Sequence, residues 1–460
     1  MVRFDSFDKI DFNLIKTKLQ QAQQVRQNKK QPFYLDISSS FDTETTSTYI
    51  NDGLDKFAFM YVWQFGLDGY YCYGRTWEEF VTFCKKLQEF ADLNNKKRLI
   101  IYIHNFAFEF QFMRKYFDWS SVFATDKRNP IKALTTLGIE FRDSLILSGY
   151  SLEKVGENLT KHNIPKMVGD LDYSKIRTKA TTFTKKELGY MLNDVRVLVA
   201  YIDEQREQYK NISLIPLTNT GRVRMLAREN CFQEGTEGDR YKKLMKSLQL
   251  NNGKEYQELK QVFAGGFTHA NPHHVGKVFH NVGSIDFTSS YPTVMISEKY
   301  PMSKGFPQEW DGWDRFNEIN EKALQIFKAE FTGLKTKVFY DNYLSKSKAV
   351  DFENVTENNG RVFSADKFTI YLTSIDWEIV KRCYTWNSVI ISEQIAYYKD
   401  YLPTPLIKTI LELYKTKTEL KEVDGKQAEY MHAKGMLNSV YWTECLLQTL
   451  FTMKKFMIMS

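Results

Sequence analysis

The segment Ser284-Ile285-Asp286-Phe287-Thr288-Ser289-Ser290-Tyr291-Pro292 ends an apolar run in an acid, follows it with small polar residues, and then sets down an aromatic ring. That order predicts a carboxylate presented at a strand end, with a turn and an aromatic face beside it. Such a strand end needs a sheet behind it, so Val275 to Asp286 is expected to run as strands. A carboxylate placed this way suits a hard divalent cation, which takes oxygen ligands.

A second group of acids points to the same chemistry. Phe41-Asp42-Thr43-Glu44-Thr45-Thr46 follows a strand-like stretch from Phe33 to Ser39. Strand side chains alternate, so Asp42 and Glu44 face one side. Glu109 ends His104-Asn105-Phe106-Ala107-Phe108-Glu109, directly after the buried-strand pattern Arg98 to Ile103. Asp194 lies on a helix expected from Thr184 to Tyr209. Tyr190 precedes it by one helical turn and shares its face, where a phenol would orient an attacking water. Phosphodiester hydrolysis by two metals about 3.5–4 Å apart needs such a gathering of carboxylates. Each short pattern alone is an ordinary solvated strand end or helix face. Their order along one chain carries the reading.

The chain has 460 residues, 43% hydrophobic and 15% aromatic, enough for two or three domains with real cores. No apolar run is long enough to form a membrane-spanning helix. The start Met1-Val2-Arg3-Phe4-Asp5 lacks a basic-then-apolar leader. Cys72, Cys84, Cys231, Cys383 and Cys445 show neither zinc nor redox spacing, so reduced thiols in a cytoplasmic protein are expected. The net charge of +7 weakly favours a polyanionic partner. His269, His273, His274 and His280 cluster without a nearby cysteine, which predicts a DNA-facing or structural loop rather than zinc.

Strands and helices alternate in the first half. Phe57 to Phe65 reads as a strand, Asp68-Gly69 as a hairpin turn, and Thr76 with Glu79 as a capping box opening a helix to about Leu93. This predicts an α/β layer. Residues 210–262 read as helical and connecting, Asn358-Asn359-Gly360 as a turn, and Leu406 to Val423 and Gln427 to Tyr441 as two antiparallel helices.

The motifs resemble those of family B DNA polymerases, most nearly the protein-primed branch of phages and linear plasmids. Asp42-Thr43-Glu44, Asn105 to Glu109 and Tyr190-Met191-Leu192-Asn193-Asp194 resemble the three exonuclease motifs. Phe263-Ala264-Gly265-Gly266 is similar to the Tyr-x-Gly-Gly linker, Ser284 to Pro292 to motif A, and Lys434-Gly435-Met436-Leu437-Asn438-Ser439-Val440-Tyr441 to motif B. The resemblance runs from about Phe33 to Tyr441.

It implies an RNase H-like 3′-5′ exonuclease domain followed by a partial family B palm and fingers. By that resemblance Asp42, Glu44, Glu109 and Asp194 would hold Mg²⁺ or Mn²⁺ with Tyr190 beside them, although the family usually has Asp at the Glu109 position. Asp286 would hold the polymerase metals, Tyr291 would pack against the nucleotide sugar, and Ser289 would help hold phosphates. Lys434, Asn438 and Tyr441 would contact the nucleotide, and Asn105, Phe108, Ser144, Leu145, Phe263, Gly265 and Gly266 the DNA. The match through Gly169-Asp170-Leu171-Asp172-Tyr173 puts Val168 at the family's catalytic lysine, with Lys166 nearby as a substitute. The implied partners are single-stranded and primer-template DNA, deoxynucleoside triphosphates and a terminal protein primer, for a monomer of the host-cell cytoplasm with no membrane contact.

The expected layout is an extension (1–32), the exonuclease (33–212), a linker with the start of the palm (213–292), an insert resembling a terminal-protein region (293–395), fingers (396–441) and a tail (442–460). The tail matches nothing in the family, and Trp442 stands where motif B continues with glycine. The Asp-Thr-Asp motif C, the Lys-x-Tyr motif and the thumb have no counterpart. The expectation is therefore a C-terminally truncated polymerase whose exonuclease site is complete and whose polymerase site is not. A stand-alone exonuclease is one alternative, and a non-catalytic DNA- or terminal-protein-binding module is the other.

Overall fold

The structure, a computed structural model, describes residues 3–50, 55–124, 128–162, 164, 172, 175–232, 235–250, 252–263, 274–337, 342–424, 426–427 and 429–440. It divides into two compact units, residues 1–223 with 415–436, and residues 224–414 with 437–460. None of the described helices is long and apolar enough to cross a membrane.

The first unit is built on a mixed sheet. Its strands lie in the order Phe4–Ser6, Tyr70–Gly74, Asp55–Leu67, Ser39–Ile50, Lys97–Ile103, Ile139–Asp143, Pro130–Thr135, Trp119–Ala124. Ser39–Ile50 runs antiparallel to Asp55–Leu67 but parallel to Lys97–Ile103, which is parallel in turn to Ile139–Asp143. This part-parallel sheet is the expected α/β layer. The hairpin turn falls at Asp68-Gly69, whose φ values of 44° and 80° are the paired left-handed conformations of a tight hairpin.

Period two divides the central strands into faces. Phe41, Trp63 and Phe65 point into an aromatic core with Phe80 and Phe83 of the helix Trp77–Ala91, and with Phe106 and Phe141. Phe41 and Phe80 place their ring centroids 4.2 Å apart. Each such burial is worth about 1.5–3 kcal/mol. The helix opens in the capping box between Thr76 and Glu79, a device worth about 1 kcal/mol. The first residues, expected as an extension, are built into this unit. The helix Phe12–Gln21 buries Ile15 and Leu19 in the same core, and Phe4–Ser6 adds a parallel edge strand.

The opposite face lies under the helix Lys185–Gln208, itself opened by a capping box between Thr184 and Glu187. Ser40 Oγ donates to the Val195 carbonyl at 3.0 Å. At Gly66 an added Cβ would come within 2.9 Å of Val199 and Ser40, so glycine permits the close packing of helix on sheet.

The second unit holds an antiparallel sheet ordered Tyr300–Pro301, Ser388–Asp400, Ala323–Thr336, Arg361–Thr373, Ala349–Glu353. Phe316, Phe327, Phe331, Phe368 and Trp377 form its core with the helices Gly312–Lys322 and Ser374–Cys383. The expected turn at Asn359-Gly360 has φ values of 49° and 75°. The two helices expected near the C-terminal end are observed over Thr404–Glu419 and 429–440.

One expectation fails. Val275 to Asp286 does not form strands. An apolar run becomes a strand only where a neighbour takes its backbone hydrogen bonds, and no described strand pairs with this one. Ile285 is left 95% exposed and Phe287 80% exposed.

Candidate active site

The face under the helix Lys185–Gln208 carries Asp42 and Glu44, and that helix brings down Asp194. Their carboxylate oxygens all lie within 4.8 Å of one another. Among the described residues this is the one group of three or more acids, histidines or cysteines so gathered. Three secondary elements fix it: the alternation of Ser39–Ile50, its antiparallel neighbour, and a helix whose register is tied to Ser40. Tyr190 sits one turn before Asp194, partly buried against Val62 and Met191.

Glu109 stands outside that trio. It is buried on the helix Phe106–Met113, where its carboxylate accepts a hydrogen bond from Thr43 Oγ1. The expected set of four is thus a trio with a fourth acid held beside it. Thr43, between Asp42 and Glu44, was not singled out by the sequence because threonine is common in strands.

The four acids share one electrostatic problem. Burial pushes Asp42 up to about 7. Burial, then the nearby Asp42, pushes Asp194 up to about 8. Glu44 is raised well above the usual carboxylate range by burial and then by Asp42, Asp194 and Glu109. Glu109 is raised by burial and by Asp42. Like charges this close cannot all ionise without a compensating cation. An all-oxygen, multiply anionic donor set fits a hard divalent ion such as Mg²⁺ or Mn²⁺, which would restore the carboxylate forms.

The rim next to the acids is organised by Asp143. This buried acid accepts the backbone N–H of Phe106 at 2.9 Å and of Ile146 at 3.0 Å. It thereby fixes both the turn at Asn105, with φ 70°, and the short helix Leu145–Ser148. The sequence signal for it was available: an acid at a strand end, just before a helix. Asn105 and Phe108 face solvent, Phe108 being 44% exposed with its ring 5.1 Å from that of Phe112. Ser144 does not fit the expected DNA contact. It is fully buried, with its hydroxyl donating to the Ile103 carbonyl and meeting His104 Nδ1 at 3.0 Å. Leu145, beside it, is partly exposed.

The family whose description is DNA polymerase type B, organellar and viral, matches residues 157–441. The chain belongs to this family. It is 25% identical over 426 residues to the DNA polymerase of Bacillus phage M2, a match covering 87% of this chain and 67% of that one. It is 24% identical over 395 residues to that of Bacillus phage phi29, covering 81% and 61%. The fold also superposes on phi29 DNA polymerase in complex with primer-template DNA, with a TM-score of 0.64 at 18% identity, covering 88% of this chain and 67% of that one. The chain thus spans about two thirds of the length of these phage polymerases. Type B polymerases of this kind serve DNA replication.

Of the polymerase-type residues, Asp286 is exposed, and Tyr291, 50% exposed, sits on the helix Ser290–Ser297. Ser289 is that helix's N-cap residue, with φ 52°, and its side chain makes no cap bond. Lys434 and Asn438 are exposed one turn apart on the helical stretch 429–440. Phe263 ends the helix Gly253–Val262. Gly265, Gly266, Tyr441, Lys166, His269 and His273 lie outside the described residues.

Proposed function

We propose that this type B polymerase chain carries a metal-dependent 3′→5′ exonuclease acting on single-stranded DNA, with Asp42, Glu44 and Asp194 as its metal ligands. The supporting observation is the convergence of those carboxylates within 4.8 Å on one face, Glu44 buried and Asp42 and Asp194 half-buried. Two divalent cations, when bound, stabilise the attacking and leaving oxygens of a phosphodiester. The chain's own residues do the rest. Asn105 and Phe108 take the 3′-terminal sugar and base, by an amide hydrogen bond and by stacking. Tyr190 orients the attacking water from the helix face it shares with Asp194. Glu109, tethered by Thr43, keeps a fourth acid next to Asp42, which ionises when the cations are bound.

The same reading assigns Asp286, Tyr291, Lys434 and Asn438 to a protein-primed polymerase half, acting on primer-template DNA and deoxynucleoside triphosphates in the host-cell cytoplasm, with a terminal protein as partner and the chain as a monomer. A module that only binds DNA gains nothing from three carboxylates crowded against one another, which favours catalysis over the non-catalytic alternative.

The test is degradation of a 5′-labelled single-stranded oligonucleotide by the full chain with Mg²⁺ or Mn²⁺. Shortening from the 3′ end is expected, falling at least about a hundredfold in Asp42→Ala/Asp194→Ala. A double variant as fast as the wild type refutes the assignment.

A further inference from the structure

Gln64 lies directly opposite Asp42 on the neighbouring strand, and opposed residues of an antiparallel pair point to the same face. Its carboxamide is therefore on the face of Asp42 and Glu44. It interrupts a buried apolar run, Met60-Tyr61-Val62-Trp63 before it and Phe65 and Leu67 after it, and is itself 0% exposed. Neither its Nε2 nor its Oε1 has a hydrogen-bonding partner among the protein atoms. A buried carboxamide without partners is costly, and such a group calls for a ligand. Glu44, two residues along from Asp42 on the same face, is its diagonal neighbour across the strand pair.

We propose that Gln64 is a positioning residue of the nuclease site. With a cation bound, its amide donates to the ionised Glu44 carboxylate and its carbonyl accepts from a water that enters with the cation. Without one, both atoms stay unsatisfied. Gln64 thus favours the loaded site over the empty one. It does for Glu44 what outer hydrogen-bond partners do for metal-binding carboxylates generally. The inference rests on the nuclease reading of Asp42, Glu44 and Asp194.

The opposite signs expected for the empty and loaded protein make it testable. In Gln64→Leu, of similar bulk but apolar, the melting temperature in EDTA should equal or exceed that of the wild type, because a buried unpartnered amide is gone. Mn²⁺ affinity, measured calorimetrically on the full chain, should fall about tenfold. The nuclease kcat should fall by a similar factor while KM for a single-stranded oligonucleotide stays put. Gln64→Met, unbranched and apolar, should behave the same way and serves where Leu does not fit. Wild-type Mn²⁺ affinity and kcat in a folded Leu or Met variant overturn the proposal and leave Gln64 a core residue. Asp42→Ala controls for the site itself: Mn²⁺ binding that survives Asp42→Ala refutes the metal site, and the role of Gln64 falls with it. Loss of binding in Asp42→Ala beside normal binding in Gln64→Leu refutes only the role of Gln64.

Discussion

The two acidic motifs of this chain have had opposite fates. Asp42 and Glu44 sit on a strand paired on both sides, with a helix above that delivers Asp194. Asp286 ends an equally apolar segment that pairs with no described strand. Both regions set a left-handed residue before a helix, Asn105 with φ 70° and Ser289 with φ 52°. The first is held by a buried acid, Asp143, which accepts the N–H of Phe106. A motif therefore specifies which residues a site will use, while neighbouring elements decide whether the site is assembled. Crowding and desolvation raise the proton affinity of Asp42 and Asp194.

The largest test of that contrast exchanges function for stability. Folded carboxyls with raised pKa values contribute stability that is fully present below their unfolded values, near 4, and lost as pH rises through the folded values. For Asp42 and Asp194 the folded values are about 7 and 8, so the metal-free protein should lose stability between about pH 4 and pH 8. Asp42→Asn/Asp194→Asn should remove this loss and melt several degrees above the wild type in EDTA at pH 8. The same variant should lose nuclease activity at least about a hundredfold. Mg²⁺ should raise the melting temperature of the wild type and not that of the variant. A double Asn variant that melts below the wild type in EDTA at pH 8 would show that the acids are not crowded as described.

What the sequence disclosed follows the same division. The helix starts at Thr76 and Thr184 were legible because each pairs a threonine with a glutamate three residues on, and both capping boxes form. The Asp68-Gly69 and Asn359-Gly360 turns were legible because only a few residue types accept the backbone they need. Asp42, Glu44 and Asp194 were legible because alternation and helical spacing project them. Partners across the sheet or between elements were not. That Thr43 would hold Glu109, that Asp143 would organise Asn105, and that Ser144 would turn inward depend on contacts far apart in sequence. Residues 1–32 read as an extension because their few apolar positions look sparse until Ile15 and Leu19 meet the aromatic core. The strand expected before Asp286 failed for the complementary reason, since β-structure is a property of neighbours as much as of residues.

A smaller effect is expected at Phe108, the exposed ring on an anchored helix beside the acids. Base stacking on such a ring is worth about 1–3 kcal/mol per base. Phe108→Ala should weaken binding of a short single-stranded oligonucleotide in EDTA roughly tenfold by fluorescence anisotropy. It should change the melting temperature little, because much of the ring is already exposed. Unchanged affinity would mean that the 3′ end is held elsewhere on the rim, and that the anchored region has no advantage in binding over the irregular one.

The smallest effect is expected at Asp286, and its smallness is the point. The carboxylate is exposed on a segment without strand pairing, so its removal costs no buried partner and opens no cavity. Surface changes of this kind usually move stability by less than about 0.5 kcal/mol. Asp286→Ala should therefore melt with the wild type, hydrolyse single-stranded DNA at a rate within about twofold of it, and bind Mn²⁺ at the acidic trio unchanged. The contrast with Asp42→Ala, which should abolish that binding, separates an assembled site from a motif that awaits its neighbours. A drop of several degrees in Asp286→Ala, or a loss of nuclease rate comparable to that of Asp42→Ala, would mean that the carboxylate is engaged in the folded chain. The division between the two regions drawn from pairing and burial would then fail.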